Sequence, residues 1–239
     1  MLKKLFIIKT GSTFSSICDK HGDFEDFITA QLEIDSQEVE VIHACTAEVF
    51  PPVMNSMGII ITGSHAMVTD QEPWMVKLAQ WLQETVSARV PVLGICFGHQ
   101  LLAHAFGGLV DYHPKGIEIG TVSIELTEEG RKDSLLGFLP SSFQGHVTHA
   151  QTVLQLPPGA TLLAKNDFEP HHAFVLHDRI WGVQFHPEFT AEITYHYVQK
   201  QKDKLGKAGM NIETIEESIH DTVYGAQLLK RFLTIASDC

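Results

Sequence analysis

Short apolar runs alternate with amphipathic or polar stretches along the chain. Eight of these runs have the length and the Val, Ile and Leu content of strands, and they lie at 4–8, 39–43, 58–62, 90–95, 120–126, 161–164, 174–176 and 180–184. Several are continuously apolar, which is typical of strands that are covered on both faces. The pattern therefore predicts a sheet buried between two layers.

A helical pattern of apolar positions fills two of the intervening stretches. In the first, apolar residues recur at helical spacing at Trp74, Leu78, Trp81 and Leu82. Pro73 stands before them, where the first turn of a helix tolerates proline. The second predicted helix, 100–106, is expected to end at Gly107-Gly108. Strand and helix thus alternate, which favours a parallel sheet with helices on both faces.

The rest of the chain has a different character. Residues 109–174 combine short apolar segments with few helical signals, so we expect further β structure there. After residue 190 the pattern is helical and polar, and Gly206 and Gly209 are expected to interrupt it. The apolar spacing within 210–236 would suit a helix that covers the sheet or forms a dimer face.

Length favours a single domain. The chain has 239 residues, and at about 150 residues per domain one large domain is a better prediction than two small ones. We expect an α/β fold, with a doubly wound and mostly parallel sheet and flanking helices. Its core is expected at about 4–190, followed by a helical C-terminal extension at about 191–236.

Charge and cysteine content limit the expected partners and the expected compartment of the protein. Lys and Arg number 17 against 29 Asp and Glu, a formal net charge of −12, which disfavours nucleic acids and anionic membranes as partners. The apolar runs are shorter than the roughly 20 residues that span a bilayer, and the first is too short for a secretory leader. Four cysteines without paired spacing (Cys18, Cys45, Cys96 and Cys239) are expected to be reduced thiols in a cytoplasm.

One segment carries a candidate nucleophile. An apolar strand runs directly into Gly94-Ile95-Cys96-Phe97-Gly98 and then into a helix, the form of a nucleophile elbow with cysteine in place of serine. Glycines permit the tight turn, and a helix N-terminus behind Cys96 favours a thiolate. The N–H of Phe97 would point toward an oxyanion beside the sulfur. A buried structural cysteine in a glycine-rich turn could have the same sequence. The motif alone is therefore compatible with a nucleophilic and with a structural cysteine.

A base and an orienting group follow the last apolar run, in Gln184-Phe185-His186-Pro187-Glu188. If the strand keeps its period of two, the side chains of Gln184, His186 and Glu188 point to one side. The carboxylate would then hold one imidazole nitrogen while the other faces the thiol. Pro187 marks the strand end, where open α/β sheets carry catalytic groups. His186 is therefore the predicted base among 14 histidines.

Gly-Ile-Cys-Phe-Gly-His-Gln at 94–100 and Gly-Val-Gln-Phe-His-Pro-Glu at 182–188 together resemble the class I, triad-type glutamine amidotransferases. The likeness is strongest to the amidotransferase domain of GMP synthetase and its stand-alone relatives. Residues 58–64 resemble the strand and glycine-rich turn that supply the family's second oxyanion donor. Residues 149–160 resemble its His-Gly-Asp-x-Val and Leu-Pro-x-Gly stretch, so the resemblance runs in order from about 58 to 189.

The resemblance implies hydrolysis of the side-chain amide of glutamine to glutamate and ammonia through a γ-glutamyl thioester. Cys96 would be the nucleophile, His186 the general acid and base, and Glu188 the group that orients His186. The oxyanion would be held by the amides of Phe97 and of the Gly63-Ser64 turn. Candidate substrate contacts are Gln100, Thr148, His149 and Gln151.

Two departures from the family pattern bear on the substrate. Gly63-Ser64-His65 stands where the family has Gly-Gly-Pro, and His149-Ala150-Gln151 replaces the carboxylate of His-Gly-Asp with an amide. If that carboxylate recognises an ammonium group, affinity for free glutamine is expected to be lower. No phosphate loop of an ATP-pyrophosphatase follows residue 189, so a glutaminase would deliver ammonia to a synthetase on another chain.

Other functions stay open from the sequence. A γ-glutamyl peptidase that acts on glutathione-like peptides or conjugates would need no partner chain. A non-catalytic regulatory or binding subunit would be expected to have lost a residue of the triad. In this chain Cys96, His186 and Glu188 are all present, which disfavours that function. A redox or chaperone protein can carry an elbow cysteine but typically lacks the His-Pro-Glu motif.

Histidine spacing predicts neither a metal nor another cofactor. His171 and His172 with His177 match no zinc pattern and are expected in a solvated loop. His99 is the only backup considered for the base, and His146 is expected to be less important than His149.

Overall fold

A computed structural model describes residues 3–238. Its elements in chain order are β1 (Lys4–Lys9), α1 (Ser15–His21), α2 (Phe24–Leu32), β2 (Val39–His43), β3 (Ser56–Ile61), α3 (Pro73–Ala88), β4 (Val92–Ile95), α4 (Phe97–Ala105), β5 (Leu109–Tyr112), β6 (Glu118–Leu126), β7 (Ser142–His149), β8 (Gln151–Gln155), β9 (Thr161–Lys165), β10 (Ala173–Leu176), β11 (Ile180–Val183), α5 (Ala191–Lys207), α6 (Ile212–Ser218) and α7 (Tyr224–Ser237).

Nine strands form one sheet in the order β2-β1-β3-β4-β11-β10-β9-β6-β7, and β5 pairs with β8 in a separate ribbon. The strands from β2 to β11 are parallel neighbours, and those from β11 to β7 are antiparallel. Helices lie on both faces. The predicted single-domain α/β fold, with a doubly wound and mostly parallel sheet, is confirmed.

The alternation of side chains in β1 explains why both faces are covered. Leu5 and Ile7 pack on one face with α2 and α7, whereas Phe6 and Ile8 pack on the other with α3 and α4. Each such buried side chain contributes about 1.5–3 kcal/mol of burial free energy. A slip of one residue would exchange the faces, so packing on both sides specifies the register of the strand.

Boundaries depart from the predicted ones where the backbone lacks a donor or changes direction. β4 begins at Val92 rather than at 90, because Pro91 has no N–H for the ladder. α4 begins at Phe97, three residues before the predicted start at 100, because the turn at Cys96 leads directly into the helix. Strands β5, β7 and β8 lie in the stretch for which the sequence predicts β structure without bounds.

The C-terminal part forms three helices. α5 continues through Gly206, which was expected to interrupt it, and the break lies at Gly209, whose φ is 78°. α7 buries Leu228, Leu229 and Phe232 against the face that carries α2, so it covers the sheet. Within the described residues, no helix has both the length and the apolar character to cross a membrane.

Strand direction gathers the candidate site residues at one edge. β3, β4 and β11 are parallel neighbours, so their carboxyl ends open at the same edge of the sheet. The Gly63-Ser64 turn follows β3, Cys96 follows β4, and His186 follows β11. α5, capped by the Thr190 side chain, packs against β6 and β7 and reaches the same edge.

Candidate functional site

Cys96 occupies a strained turn between β4 and α4. Its backbone has φ 51° and ψ −99°, a conformation that costs a non-glycine residue about 1–3 kcal/mol. Surrounding contacts hold it there, including the hydrogen bond that the Cys96 N–H donates to the Val183 carbonyl at 2.8 Å. The thiol lies at the N-terminus of α4 with Sγ 3.7 Å from the Thr148 carbonyl oxygen. Unpaired N–H groups and the helix dipole there favour a thiolate.

The glycines of the turn are required by close backbone contacts. A Cβ on Gly94 would lie 2.5 Å from both the carbonyl carbon and oxygen of Gly98. A Cβ on Gly98 would lie 2.6 Å from the Ile61 carbonyl oxygen. The prediction that these glycines permit the tight turn is confirmed, because a side chain at either position would collide with neighbouring backbone.

Substitution Gly94→Ala is expected to destabilise the fold by about 2 kcal/mol or more, since a new methyl group would overlap backbone atoms that cannot move aside. The midpoint of urea unfolding measures the effect. Gly206→Ala is the matched control, because a Cβ on Gly206 meets nothing within 4 Å and alanine favours the helix. A Gly94→Ala protein as stable as wild type would contradict the packing described for the elbow.

His186 and Glu188 form a buried pair. His186 Nδ1 lies 2.8 Å from Glu188 Oε1, and the exposed fractions of the two residues are 3% and 1%. The expected reason for their shared side is wrong, because β11 ends at Val183 and the two residues lie in a turn. Pro187 cannot extend the ladder, and the turn brings Glu188 back beneath the imidazole.

Aromatic rings and the paired carboxylate define the environment of the imidazole. The Phe189 ring stacks on His186 with centroids 4.0 Å apart. Burial by itself would lower the pKa of His186, but the charges of Glu188 and Cys96 and the hydrogen bond to Glu188 raise it to about 10. Nε2 is buried and lacks a geometrically close hydrogen-bond partner among residues 3–238. A pKa near 10 makes the imidazole cationic at neutral pH, and His186 and Cys96 line the same cavity.

The Gly63-Ser64 turn is held by hydroxyl groups. The Gly63 carbonyl accepts hydrogen bonds from Thr10 Oγ1 at 3.1 Å and Thr62 Oγ1 at 2.9 Å. Ser64 Oγ donates to the Thr10 carbonyl at 2.9 Å. A Cβ on Gly63 would lie 3.0 Å from His186 Cε1, so this turn lies directly against the imidazole. These bonds restrain the turn beside the candidate nucleophile and base.

A cavity of about 380 Å³ opens at this edge of the sheet. Its lining includes eight of the ten predicted site residues, namely Ser64, Cys96, Phe97, Gln100, Thr148, His149, Gln151 and His186. The two others adjoin it, since Gly63 and Glu188 both contact His186. The structure thus brings all ten together.

Three of the predicted substrate contacts have their side chains occupied within the protein. Gln100 Nε2 donates to the Gln151 carbonyl at 2.8 Å and to Gln184 Oε1 at 2.9 Å. Gln151 Oε1 accepts from the Val68 N–H at 3.0 Å, and its Nε2 donates to a threonine in the same turn. Both ring nitrogens of His149 face acceptors, Gln151 O and a buried carboxylate. These hydrogen bonds hold the three side chains in place in the cavity wall.

A buried polar cluster behind that wall was not predicted. Glu118 Oε2 lies 3.0 Å from His149 Nε2 and 3.4 Å from His172 Nε2. Burial would raise the pKa of Glu118, but the hydrogen bonds from the two histidines hold it well below its usual range. The solvated loop predicted for residues 171, 172 and 177 is wrong at His172, which is fully buried. No sequence signal links it to Glu118, because the sheet joins strands distant in sequence.

The other candidate histidines are structural. His99 is fully buried against the Phe174 ring, and burial lowers its pKa to about 3. Burial also lowers the pKa of His146 to about 4, and its carbonyl accepts from the His186 N–H at 2.7 Å. Neither ring lines the cavity, so His186 is the base candidate at Cys96.

Sequence reasoning missed the wall that α5 supplies. Tyr197, Lys200, Gln201 and Lys204 line the cavity, and Tyr197 Oη lies 2.8 Å from Thr13 Oγ1. Gln201 Nε2 donates to Thr148 Oγ1 at 3.0 Å. Helical spacing places these residues on one face of a polar helix, but nothing in the sequence indicates that this face covers the end of the sheet.

Comparisons with known proteins agree with this architecture. The sequence model of the family described as glutamine amidotransferase class-I matches residues 17–203. Gamma-glutamyl peptidase 3 of Arabidopsis thaliana is 31% identical over 188 residues, 74% of each chain. GMP synthase (glutamine-hydrolyzing) of Thermosipho africanus is 32% identical over 174 residues, 70% of this chain and 32% of that protein.

Solved structures extend the likeness to the whole fold. A glutamine amidotransferase from Thermotoga maritima superimposes with a TM-score of 0.77 at 19% identity, over 99% of both chains. The sequence relationship therefore reaches well beyond the motifs at Cys96 and His186, and the fold agrees along nearly the full chain. This chain belongs to the class I glutamine amidotransferase family.

Proposed function

We propose that the chain is a cysteine-dependent hydrolase of γ-glutamyl amides, of which glutamine, converted to glutamate and ammonia, is the simplest. The observation that carries the proposal is the thiol of Cys96, held in a strained turn at a helix N-terminus beside the buried His186–Glu188 pair. Family membership supports the same chemistry. An inert structural cysteine would require neither the strain nor a buried histidine–carboxylate pair beside it.

In the first half-reaction, the Cys96 thiolate attacks the γ-carbonyl carbon of the substrate. The N–H groups of Phe97 and Ser64 stabilise the resulting oxyanion. The carbon–nitrogen bond then breaks as His186 Nε2 gives its proton to the leaving nitrogen. Ammonia or an amine departs and a γ-glutamyl thioester remains on Cys96.

In the second half-reaction, water attacks the thioester carbon and gives a proton to His186. The carbon–sulfur bond breaks, which releases the glutamyl γ-carboxylic acid and restores the thiolate; the acid then loses its proton to solvent. Glu188 keeps its hydrogen bond to His186 Nδ1 through both steps and stabilises the imidazolium. No step requires a metal or another cofactor. Backbone groups of 148–151 supply polar contacts for the amino-acid end of the substrate.

The test is incubation of the purified chain with glutamine and with a diazoketone analogue of glutamine. The proposal expects glutamate release and a single covalent adduct on Cys96, located by peptide mass spectrometry. An adduct without turnover would point to a glutaminase that needs its synthetase chain for activation. Neither turnover nor an adduct would overturn the proposal in favour of a non-catalytic subunit.

A second candidate substrate class, γ-glutamyl peptides, is favoured by the charge at the cavity rim. Lys200 and Lys204 lie one turn apart on α5, and neither ammonium forms an ion pair among residues 3–238. In a chain of net charge −12, two unpaired ammonium groups are a local attraction for carboxylates. The ammonia that leaves glutamine has no group to reach them, whereas the amino acid that leaves a γ-glutamyl peptide carries a carboxylate.

The double variant Lys200→Gln/Lys204→Gln is expected to raise KM for γ-glutamylglycine about three- to tenfold, because exposed charge contacts each contribute roughly 0.2–1 kcal/mol. KM for glutamine is expected to stay unchanged. Steady-state release of glutamate from both substrates measures the effect.

Lys202→Gln is the control for the rim, since Lys202 lies on the same helix but does not line the cavity. An equal rise in KM for both substrates would assign the two lysines to the α-carboxylate of the glutamyl group. No change in either KM would remove the argument for peptides. Glutamine would then remain as the proposed substrate, with a synthetase on another chain as ammonia acceptor.

A further inference from the structure

Three potential metal ligands from two helices meet outside the cavity. His21 is the last residue of α1, and Glu192 and His196 lie one turn apart on α5. One ligand atom from each comes together so that the three lie within 4.8 Å of one another. The spacing of four residues puts Glu192 and His196 on the same face of α5, and the fold brings the end of α1 against that face.

Both imidazoles turn the same nitrogen toward one carboxylate oxygen. His21 Nε2 lies 3.7 Å and His196 Nε2 lies 3.8 Å from Glu192 Oε1. These distances are too long for hydrogen bonds. Both nitrogens are nevertheless buried, and neither has a hydrogen-bond partner within residues 3–238. Buried polar atoms without a partner are costly, so two of them directed at one point indicate a missing ligand.

The spacing of the three atoms suits a shared metal ion. Zinc bonds to imidazole nitrogen and carboxylate oxygen are about 2.0–2.2 Å long, so two ligands of a tetrahedral ion lie about 3.4 Å apart. The observed separations of 3.7 and 3.8 Å exceed this by a few tenths of an ångström, and the two imidazole nitrogens lie within 4.8 Å of each other. The Glu192 side chain is exposed and the two imidazoles are partly exposed, so side-chain rotations can bring the three atoms closer together.

The geometry points to a binding site for a divalent transition-metal ion of the zinc type, with His21 Nε2, Glu192 Oε1 and His196 Nε2 as ligands and water in the fourth position. Two imidazoles and one carboxylate favour zinc, nickel, copper or cobalt over calcium and magnesium, which prefer oxygen ligands. Local histidine spacing does not predict this site, because His21 comes from a helix distant in sequence from Glu192 and His196.

The Lys20 ammonium group would compete with a metal ion for the Glu192 carboxylate. Lys20 Nζ lies 2.6 Å from Glu192 Oε1, and the two side chains are 59% and 58% exposed. An exposed pair of this kind contributes little to stability, so a metal ion can displace the ammonium into solvent. Removal of Lys20 is therefore expected to strengthen metal binding.

The site would join α1 to the wall of the cavity. Tyr197 follows the ligand His196 and lines the cavity, as does Phe14, which precedes α1. The Phe14 and Tyr197 rings already meet edge to face with centroids 5.2 Å apart. A bound ion would link α1, which follows Phe14, to α5, which carries Tyr197.

Titration with cobalt(II), a spectroscopic probe for zinc sites, tests the proposal in the Cys96→Ser protein, which lacks the thiolate at the cavity. One equivalent is expected to bind and to give visible absorption without a thiolate-to-cobalt charge-transfer band. His21→Gln and His196→Gln are each expected to weaken binding at least about tenfold. Lys20→Met is expected to strengthen it about threefold.

His220→Gln, a change at an exposed histidine outside the cluster, is the matched control and is expected to bind like the parent. Circular dichroism confirms that each variant is folded. The gain expected for Lys20→Met cannot result from misfolding. Absence of stoichiometric binding, or unchanged binding in both the His21 and His196 variants, would overturn the proposal.

Discussion

Substitution Cys96→Ser is expected to lower kcat on glutamine and γ-glutamyl peptides by at least about 10⁴-fold, because loss of a covalent nucleophile removes the acyl-enzyme route altogether. The turn and the helix N-terminus stabilise a thiolate, and the His186–Glu188 pair supplies a cationic partner. A serine hydroxyl has a much higher pKa than a thiol and stays protonated beside an imidazolium. Initial rates of glutamate release measure the loss.

Cys18→Ser is the control, because Cys18 is a free, partly buried cysteine on α1 that does not line the cavity. Its rate is expected to equal that of wild type. Activity of the Cys96→Ser protein within tenfold of wild type would remove Cys96 as the nucleophile. Equal thermal stability of the two serine variants would attribute the loss to chemistry and not to unfolding.

Substitution Glu188→Gln is expected to lower kcat by up to about 10⁴-fold, the loss that follows when the carboxylate of a Ser-His-Asp triad becomes an amide. Burial lowers the pKa of His186, and the charge of Glu188 is a main cause that raises it to about 10. Without that charge the pKa of His186 falls, so its imidazole loses its proton at a lower pH than in wild type.

Titration of the His186 ring, followed by nuclear magnetic resonance as a function of pH, reports this change directly. In wild type the ring is expected to stay protonated across neutral pH, and in Glu188→Gln its titration midpoint is expected to move to lower pH. Glu213→Gln, at an exposed carboxylate on α6, is the control. An unchanged titration midpoint in Glu188→Gln would show that Glu188 does not set the ionisation of His186.

Local sequence patterns were sufficient for most of the fold. Apolar runs predicted the strands of the parallel half, because a strand covered on both faces must be apolar throughout. They were less informative for β7, where polar residues alternate with apolar ones on a partly solvated antiparallel strand. The position of Gly206 was misjudged because a helix tolerates glycine when its packed face lies elsewhere.

The residues of the candidate site likewise fall into those that local sequence predicts and those that it does not. Cys96 and its flanking glycines were predictable because a tight strand-to-helix turn is a local event with its own residue requirements. His186 and Glu188 were predicted as a pair, although the reason is a turn and not the period of a strand. The lysines of α5 and the metal-ligand cluster were not predictable, since each depends on two elements that meet only in the folded chain.

The sequence specified the strands, the elbow at Cys96 and the identity of its partners, since each depends on residue type within a few positions. The tertiary structure decided which groups share the cavity: α5 brings Lys200 and Lys204 to the rim, and α1 brings His21 to His196. It also decided that Gln151 is occupied by the protein's own backbone. The reason is that burial and packing between distant segments, which set charge, exposure and hydrogen-bond partners, are properties of the closed fold.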